Sequence, residues 1–190
     1  VRVAGIALLI CVALALQTSL ARFISPGATL VDLVFVAVVY IALTDGPTAG
    51  LLTGALAGLA QDALAATGTL DIAVGAEVAT RRSIVGIGGL ANTVIGFVAG
   101  IIGSQFIVAR PLPRGVVFFT ATIAHAIIFV GLYRMLDARY EQTSFAAVLS
   151  RAGANALVGM LVSQIADLMP GFLDRRRSMG GGMRINRRLD

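Results

Sequence analysis

The sequence predicts an all-α integral membrane protein with six transmembrane helices in one bundle. Three observations lead there. The 190 residues are 57% hydrophobic, with a mean hydropathy of +0.90, and only 13% are charged, against about 25% in an ordinary soluble domain. Long stretches such as 3–21 and 83–109 carry no charge at all, and about 20 apolar residues are enough to cross a bilayer. Small residues also recur at four-residue spacing, which lines them up on one helix face. Helices associate in lipid through such faces, because apolar burial gives them no reason to prefer one another there.

The first span, 3–21, follows Arg2. A cleaved signal peptide is the rival reading, but the run continues into Gln17, Thr18 and Ser19 without a small-residue cleavage site. Ser25, Pro26 and Gly27 break the helix, and a shorter run, 30–44, makes the second span, with Asp32 near its start and Asp45 closing it. The turn Asp45-Gly46-Pro47 leaves so few linking residues that the second and third spans form an antiparallel hairpin. Pro47 suits a first helical turn, where its missing N–H costs nothing. The third span is 47–67, and Asp62, 15 residues after Pro47, stands roughly 22 Å along the axis. That depth is the far portion of an apolar core about 30 Å thick.

The polar loop 68–83 mixes Ile72, Val74 and Val78 with Asp71, Glu77, Arg81 and Arg82, which suits a short interfacial helix. The fourth span, 83–109, is followed by Arg110 and Arg114 around Pro111 and Pro113; the fifth is 115–133 and the sixth 145–168, before Met169-Pro170-Gly171. Residues 1–173 thus form one transmembrane domain, and 174–190 a basic, disordered tail. With both termini cytoplasmic, Arg2, Arg110, Arg114, Arg175, Arg176, Arg177, Arg184, Arg187 and Arg188 lie inside. Arg22, Arg81, Arg82, Arg134 and Arg139 lie outside, and Arg151 is ambiguous. Nine against five favours that orientation. The net charge of +5 is concentrated in the tail, so it points to anionic lipids of the inner leaflet and not to nucleic acid.

The candidate site residues lie on three seams. Gly50, Gly54, Gly58 and Asp62 form a line down the third helix, with Gln61 beside it, and make a groove for close helix docking by a partner. Asn92, Gly96, Gly100 and Ser104 repeat the spacing on the fourth helix, and Asn155, Gly159, Ser163 and Asp167 on the sixth. The third and sixth helices also align, Leu52, Gly54, Leu56, Gly58 and Asp62 with Leu157, Gly159, Leu161, Ser163 and Asp167. That alignment fits an inverted repeat of three plus three spans and fits chance as well.

Asp62 reads in two ways: as a site for a proton, an ion or a partner's arginine, or as a structural group, either in an internal ion pair, for which Arg22, Arg81 and Arg82 are near, or as a helix-end carboxylate. Asn92 and Asn155 read as interhelical hydrogen bonders, and His125, the lone histidine, as a packing residue. Cys11 is the lone cysteine, so a disulfide or cysteine metal site within the chain is excluded. Gly86, Gly88 and Ala91 fit the spacing of a dinucleotide fingerprint, but that motif needs a soluble strand–turn–helix unit around it. No nucleophile has a histidine or acid at a telling spacing. No catalytic residue, cofactor or metal is therefore assigned, and the chain is expected not to be an enzyme.

GLLTGALAGLAQDAL on the third helix, followed by GIGGLANTVIGFVAGIIGSQF on the fourth, resembles the bacterial rod shape-determining protein MreD family. The six-span layout with the Pro26 to Asp32 approach to the second helix is similar over most of the chain. The resemblance implies a non-enzymatic inner-membrane subunit of the cell-elongation machinery. Its partners would be the bitopic protein MreC, the actin-like MreB filament, and the glycosyltransferase and transpeptidase that build lateral peptidoglycan. It also implies a fold similar to the S-component of vitamin transporters, so the second functional reading is a small-molecule-binding transporter subunit. Two absences favour the scaffold: there is no tryptophan with only three tyrosines, and no Ala-x-x-x-Ala pair in 3–21. One departure is the insertion 69–83, where members of the family pass almost directly between the two helices.

Overall fold

The computed structural model describes residues 2–23, 31–66, 85–105, 111–136 and 144–168. Among these the chain is all-helical: α1 (Arg2–Phe23), α2 (Leu33–Asp45), α3 (Pro47–Ala66), α4 (Ile87–Gln105), α5 (Pro111–Met135) and α6 (Phe145–Leu168). Three of them, α4, α5 and α6, are long and apolar enough to cross a membrane, whereas the apolar part of α1 (Ala4–Ser19) and α2 are shorter. The polar loop 68–83 with Arg81 and Arg82, the side chain of Arg22, Arg110, Arg139, Tyr140 and the tail 174–190 lie outside the described residues.

Local chemistry sets the helix ends. Asp32, in extended conformation, accepts a hydrogen bond from the Phe35 N–H and caps α2. At the other end Gly46 adopts φ +93°, open to glycine at no steric cost, and donates its N–H to the Ala42 carbonyl before Pro47 starts α3. Gly86, at φ +108°, delays α4 to Ile87, four residues after the expected Ser83. Conversely, α5 begins at Pro111 and not Gly115, because both prolines fit a first turn whose N–H groups need no intrahelical acceptor.

The short helix α2 is the axis. Val34 through Val39, Ile41 and Ala42 are all buried, and α2 packs against each of the other five helices. Around it, α1 touches α3, α3 touches α4, α4 touches α5 and α5 touches α6. Among the described residues α6 and α1 do not touch. One core cluster joins Phe35, Val39 and Ala42 of α2 to Ile95, Ala99, Phe118, Ala121 and Ala156; a second joins Val34, Ala37 and Val38 to Ala13 and Ala57. This arrangement lacks the symmetry of a three-plus-three repeat, in which α5 would match α2. Only α2 is encircled, and α3 and α6 do not pack together.

The surface is inside out by aqueous standards. Leu8, Leu52, Leu56, Ile127, Leu157 and Leu161 are all more than half exposed, while Gln17, Thr53, Asn92, Asn155 and Ser163 are buried. This sorting suits a lipid surrounding, in which large apolar side chains face the tails and small or polar ones mediate helix contacts.

Candidate functional site

The glycines of α3 meet backbone. A Cβ on Gly50 would run into the Gly96 carbonyl, one on Gly54 into the Asn92 carbonyl, and one on Gly58 would lie 2.6 Å from Gly89 Cα. From the other side, Gly96 meets the Gly50 carbonyl and Gly100 the backbone of Pro47. The lines on α3 and α4 are two halves of one seam. This corrects the expectation that the α3 groove receives a partner's helix, since α4 of the same chain fills it. The reason is local concentration: two complementary faces tied in one chain meet more readily than either meets a separate helix. Ser104 stands outside the seam, exposed and bonded to its own Ile101 carbonyl at 2.9 Å. Gly103, next to it, packs instead against the Leu43 backbone of α2.

Asp62 ends this seam. Its Oδ2 accepts the Gly86 N–H at 2.8 Å and the Gly89 N–H at 3.1 Å, and the residue is only 9% exposed. These N–H groups open α4 and have no intrahelical acceptor, and a carboxylate there also complements the helix dipole. A Cβ on Gly88 would collide with the same carboxylate. Asp62 is thus a helix-end carboxylate whose ligand is the start of the neighbouring helix. The glycines at 86, 88 and 89 were the available signal. A glycine-rich turn opening a helix holds anions, and here the anion is the chain's own.

A second polar assembly surrounds the start of α2. Gln61 donates from Nε2 to Asp32 Oδ1 at 3.0 Å and accepts at Oε1 from Asn92 Nδ2 at 3.2 Å. The Asp32 N–H donates to Asn155 Oδ1 at 2.9 Å, and Asn155 Nδ2 donates to Thr122 Oγ1 at 3.3 Å. Gln17 of α1 accepts the Val34 N–H at 3.1 Å. Side chains from all six helices therefore converge here. The cause is the length of α2: its 13 residues extend only about 20 Å, so its N-terminus opens inside the bundle. Without water, each N–H there must find a protein acceptor. One acceptor remains over, since Asn92 Oδ1 is buried with no hydrogen-bond partner among the described residues. Gln17 and Thr122 escaped the sequence reading, because a lone Gln or Thr in an apolar run carries no spacing signal.

The seam on α6 faces α5. A Cβ on Gly159 would strike the Phe118 ring, Ser163 donates to the Gly159 carbonyl at 2.7 Å, and Asp167 pairs with Arg114 at the foot of both helices. His125 packs edge-on to Phe35 (5.1 Å between ring centres) and stacks on Phe129 (5.9 Å), which meets Tyr133. Among the described residues no three His, Cys, Asp or Glu side chains group as metal ligands. The chain matches no protein-family model, no curated protein and no solved structure.

Removing the Asp62 carboxylate tests its role. Asp62→Ala strands two N–H groups and is expected to cost about 1–3 kcal/mol. Asp62→Asn keeps an acceptor oxygen but loses charge assistance, and should cost less. Thermal unfolding of the purified protein in detergent gives the order. An alanine variant as stable as the parent would remove the capping role.

Proposed function

We propose that this chain is a non-enzymatic scaffold subunit of the bacterial rod, or elongation, complex, an MreD-like protein of the inner membrane. In this reading all six helices cross the membrane as one bundle and both termini are cytoplasmic. Its partners are an MreC-like bitopic protein, the MreB filament and the peptidoglycan glycosyltransferase and transpeptidase. The basic tail rests on anionic lipids.

The observation that carries the reading is that the motif residues of the resemblance contact one another. Gly50 meets Gly96, Gly54 meets Asn92, Gly58 meets Gly89, Asp62 holds Gly86 and Gly89, and Gln61 bonds Asn92. The two segments that resemble MreD thus make one rigid two-helix unit. Apart from Asn92 Oδ1, the polar side-chain groups of Gln61, Asp62 and Asn92 bond to neighbouring helices.

Affinity purification of the tagged chain from gently solubilised membranes, with mass spectrometry of bound proteins and metabolites, tests this. Expected are an MreC-like single-span protein and peptidoglycan synthases, and depletion of the chain should turn rods into spheres. Recovery of an ATPase module with a bound metabolite would favour the transporter reading. One observation supports that alternative: the row Phe35, His125, Phe129 and Tyr133 provides aromatic walls near polar groups, as ligand sites often have.

A further inference from the structure

The α3–α4 seam closes with one polar atom unaccounted for. Among the described residues Asn92 Oδ1 is the one sealed side-chain oxygen or nitrogen without a hydrogen-bond partner, and Asn92 as a whole is 3% exposed. Asn155 makes the contrast. It is 1% exposed, and both ends of its amide are used, Oδ1 by the Asp32 N–H and Nδ2 by Thr122 Oγ1. Asn92 uses only its Nδ2.

The orphan cannot be removed by turning the amide over. A carboxylate oxygen only accepts, so Gln61 must direct its Nε2 to Asp32 Oδ1, and its Oε1 is left to accept from Asn92 Nδ2. Turning Asn92 alone would set its oxygen against Gln61 Oε1. Turning both amides would set Gln61 Oε1 against the Asp32 carboxylate. The chain Asp32–Gln61–Asn92 therefore runs one way, and its excess acceptor falls at Asn92 Oδ1.

Whatever satisfies that oxygen must be small and must donate. A side chain of another protein has no entry to an atom so enclosed. A cation needs several oxygen ligands, and Gln61 Oε1, the neighbouring oxygen along the chain, is already taken. Water donates twice, and buried waters settle at polar groups left over by the fold. A second acceptor stands beside the same amide. The Gly88 carbonyl, with two lone pairs, and Asn92 Nδ2 each lie 3.0 Å from the place a Gly58 Cβ would take.

We propose that Asn92 Oδ1 holds an internal water molecule, which lengthens the chain Asp32–Gln61–Asn92 by one link and stays with the folded protein. Such a water belongs to the fold itself, whether the chain serves as a scaffold or as a transporter subunit.

Water-edited solid-state NMR of the full chain, carrying isotope-labelled asparagine and reconstituted in lipid bilayers, reads this without any substitution. Asn155 is the internal control, equally buried but bonded at both ends. Magnetisation from water is expected to reach the Asn92 side-chain amide at least about threefold faster than that of Asn155, as direct contact with a bound water requires. An experimental structure fine enough to show waters should place density about 2.7–3.2 Å from Asn92 Oδ1. Equally slow transfer to both asparagines means a dry oxygen and overturns the site. Equally fast transfer means that solvent fills the whole polar assembly, which overturns a single seated molecule. Density for a protein donor at Asn92 Oδ1, whichever segment supplies it, overturns the proposal too.

Discussion

Leucine at Gly54 or at Gly96 is expected to prevent the protein from accumulating as a folded monomer, whereas leucine at Gly131 leaves it unaffected. A Cβ at Gly54 already meets the Asn92 carbonyl, and one at Gly96 the Gly50 carbonyl. Overpacking against side chains typically costs about 1–3 kcal/mol, but neither obstacle here is a side chain that can turn away. Relief requires α3 and α4 to separate, which breaks the whole seam and the Asp62 and Gln61 bonds with it. A domain with about 5–15 kcal/mol of stability does not survive such a loss. At Gly131 a Cβ meets nothing within 4 Å, so it controls for the side chain itself. Size-exclusion profiles of fluorescent fusions make the comparison, and a monodisperse Gly54→Leu protein would contradict the packing. On partner binding alone, Gly54→Leu is also expected to do more harm than Asp62→Asn, but through loss of the fold and not through closure of a docking groove.

The second large effect belongs to the start of α2. Asp32→Ala removes an N-cap, worth about 1 kcal/mol, and strands Gln61 Nε2, an unsatisfied donor that costs roughly 1–3 kcal/mol more. Asn155→Leu strands the Asp32 N–H and one bond to Thr122, with a comparable cost. The two share a network, so the double variant should fall short of the sum by about 1 kcal/mol. Denaturation of the four proteins in mixed micelles measures that coupling. Full additivity would mean that the bonds do not act together, and a neutral Asn155→Leu would mean they do not matter.

Much of the fold was legible because long apolar helices follow a simple code. Uncharged runs mark the helices, and the Asp45-Gly46-Pro47 break marks a hairpin that needs only Gly46 at positive φ. The four-residue glycine steps identified the tight faces at Gly50, Gly54, Gly58, Gly96 and Gly159. What spacing leaves open is the occupant of a face. A line of glycines on α3 fits any smooth helix, and only three-dimensional placement decides that α4 lies there. The same limit hid the partner of Asp62, because a backbone N–H has no letter of its own. It also hid the central place of α2, whose apolar run differs from its neighbours chiefly in length. Ser104 was misassigned because α3 starts at Pro47, which Gly100 already meets, so the next four-residue step along α4 has no α3 backbone opposite it.

The most direct measurement is a disulfide across the α3–α4 seam. In a Cys11→Ser background, Leu59→Cys and Gly89→Cys place two thiols where the three atoms nearest a Cβ on Gly89 all belong to Leu59, its backbone nitrogen at 3.3 Å and two atoms of the side chain that is replaced. Oxidation in native membranes is expected to give a rapid intramolecular bond at monomer size. The Leu52→Cys, Leu157→Cys pair should stay reduced, because α3 and α6 do not pack together. A Leu59–Gly89 pair that stays reduced, or that links two chains, would mean that α3 offers its glycine face to another molecule after all.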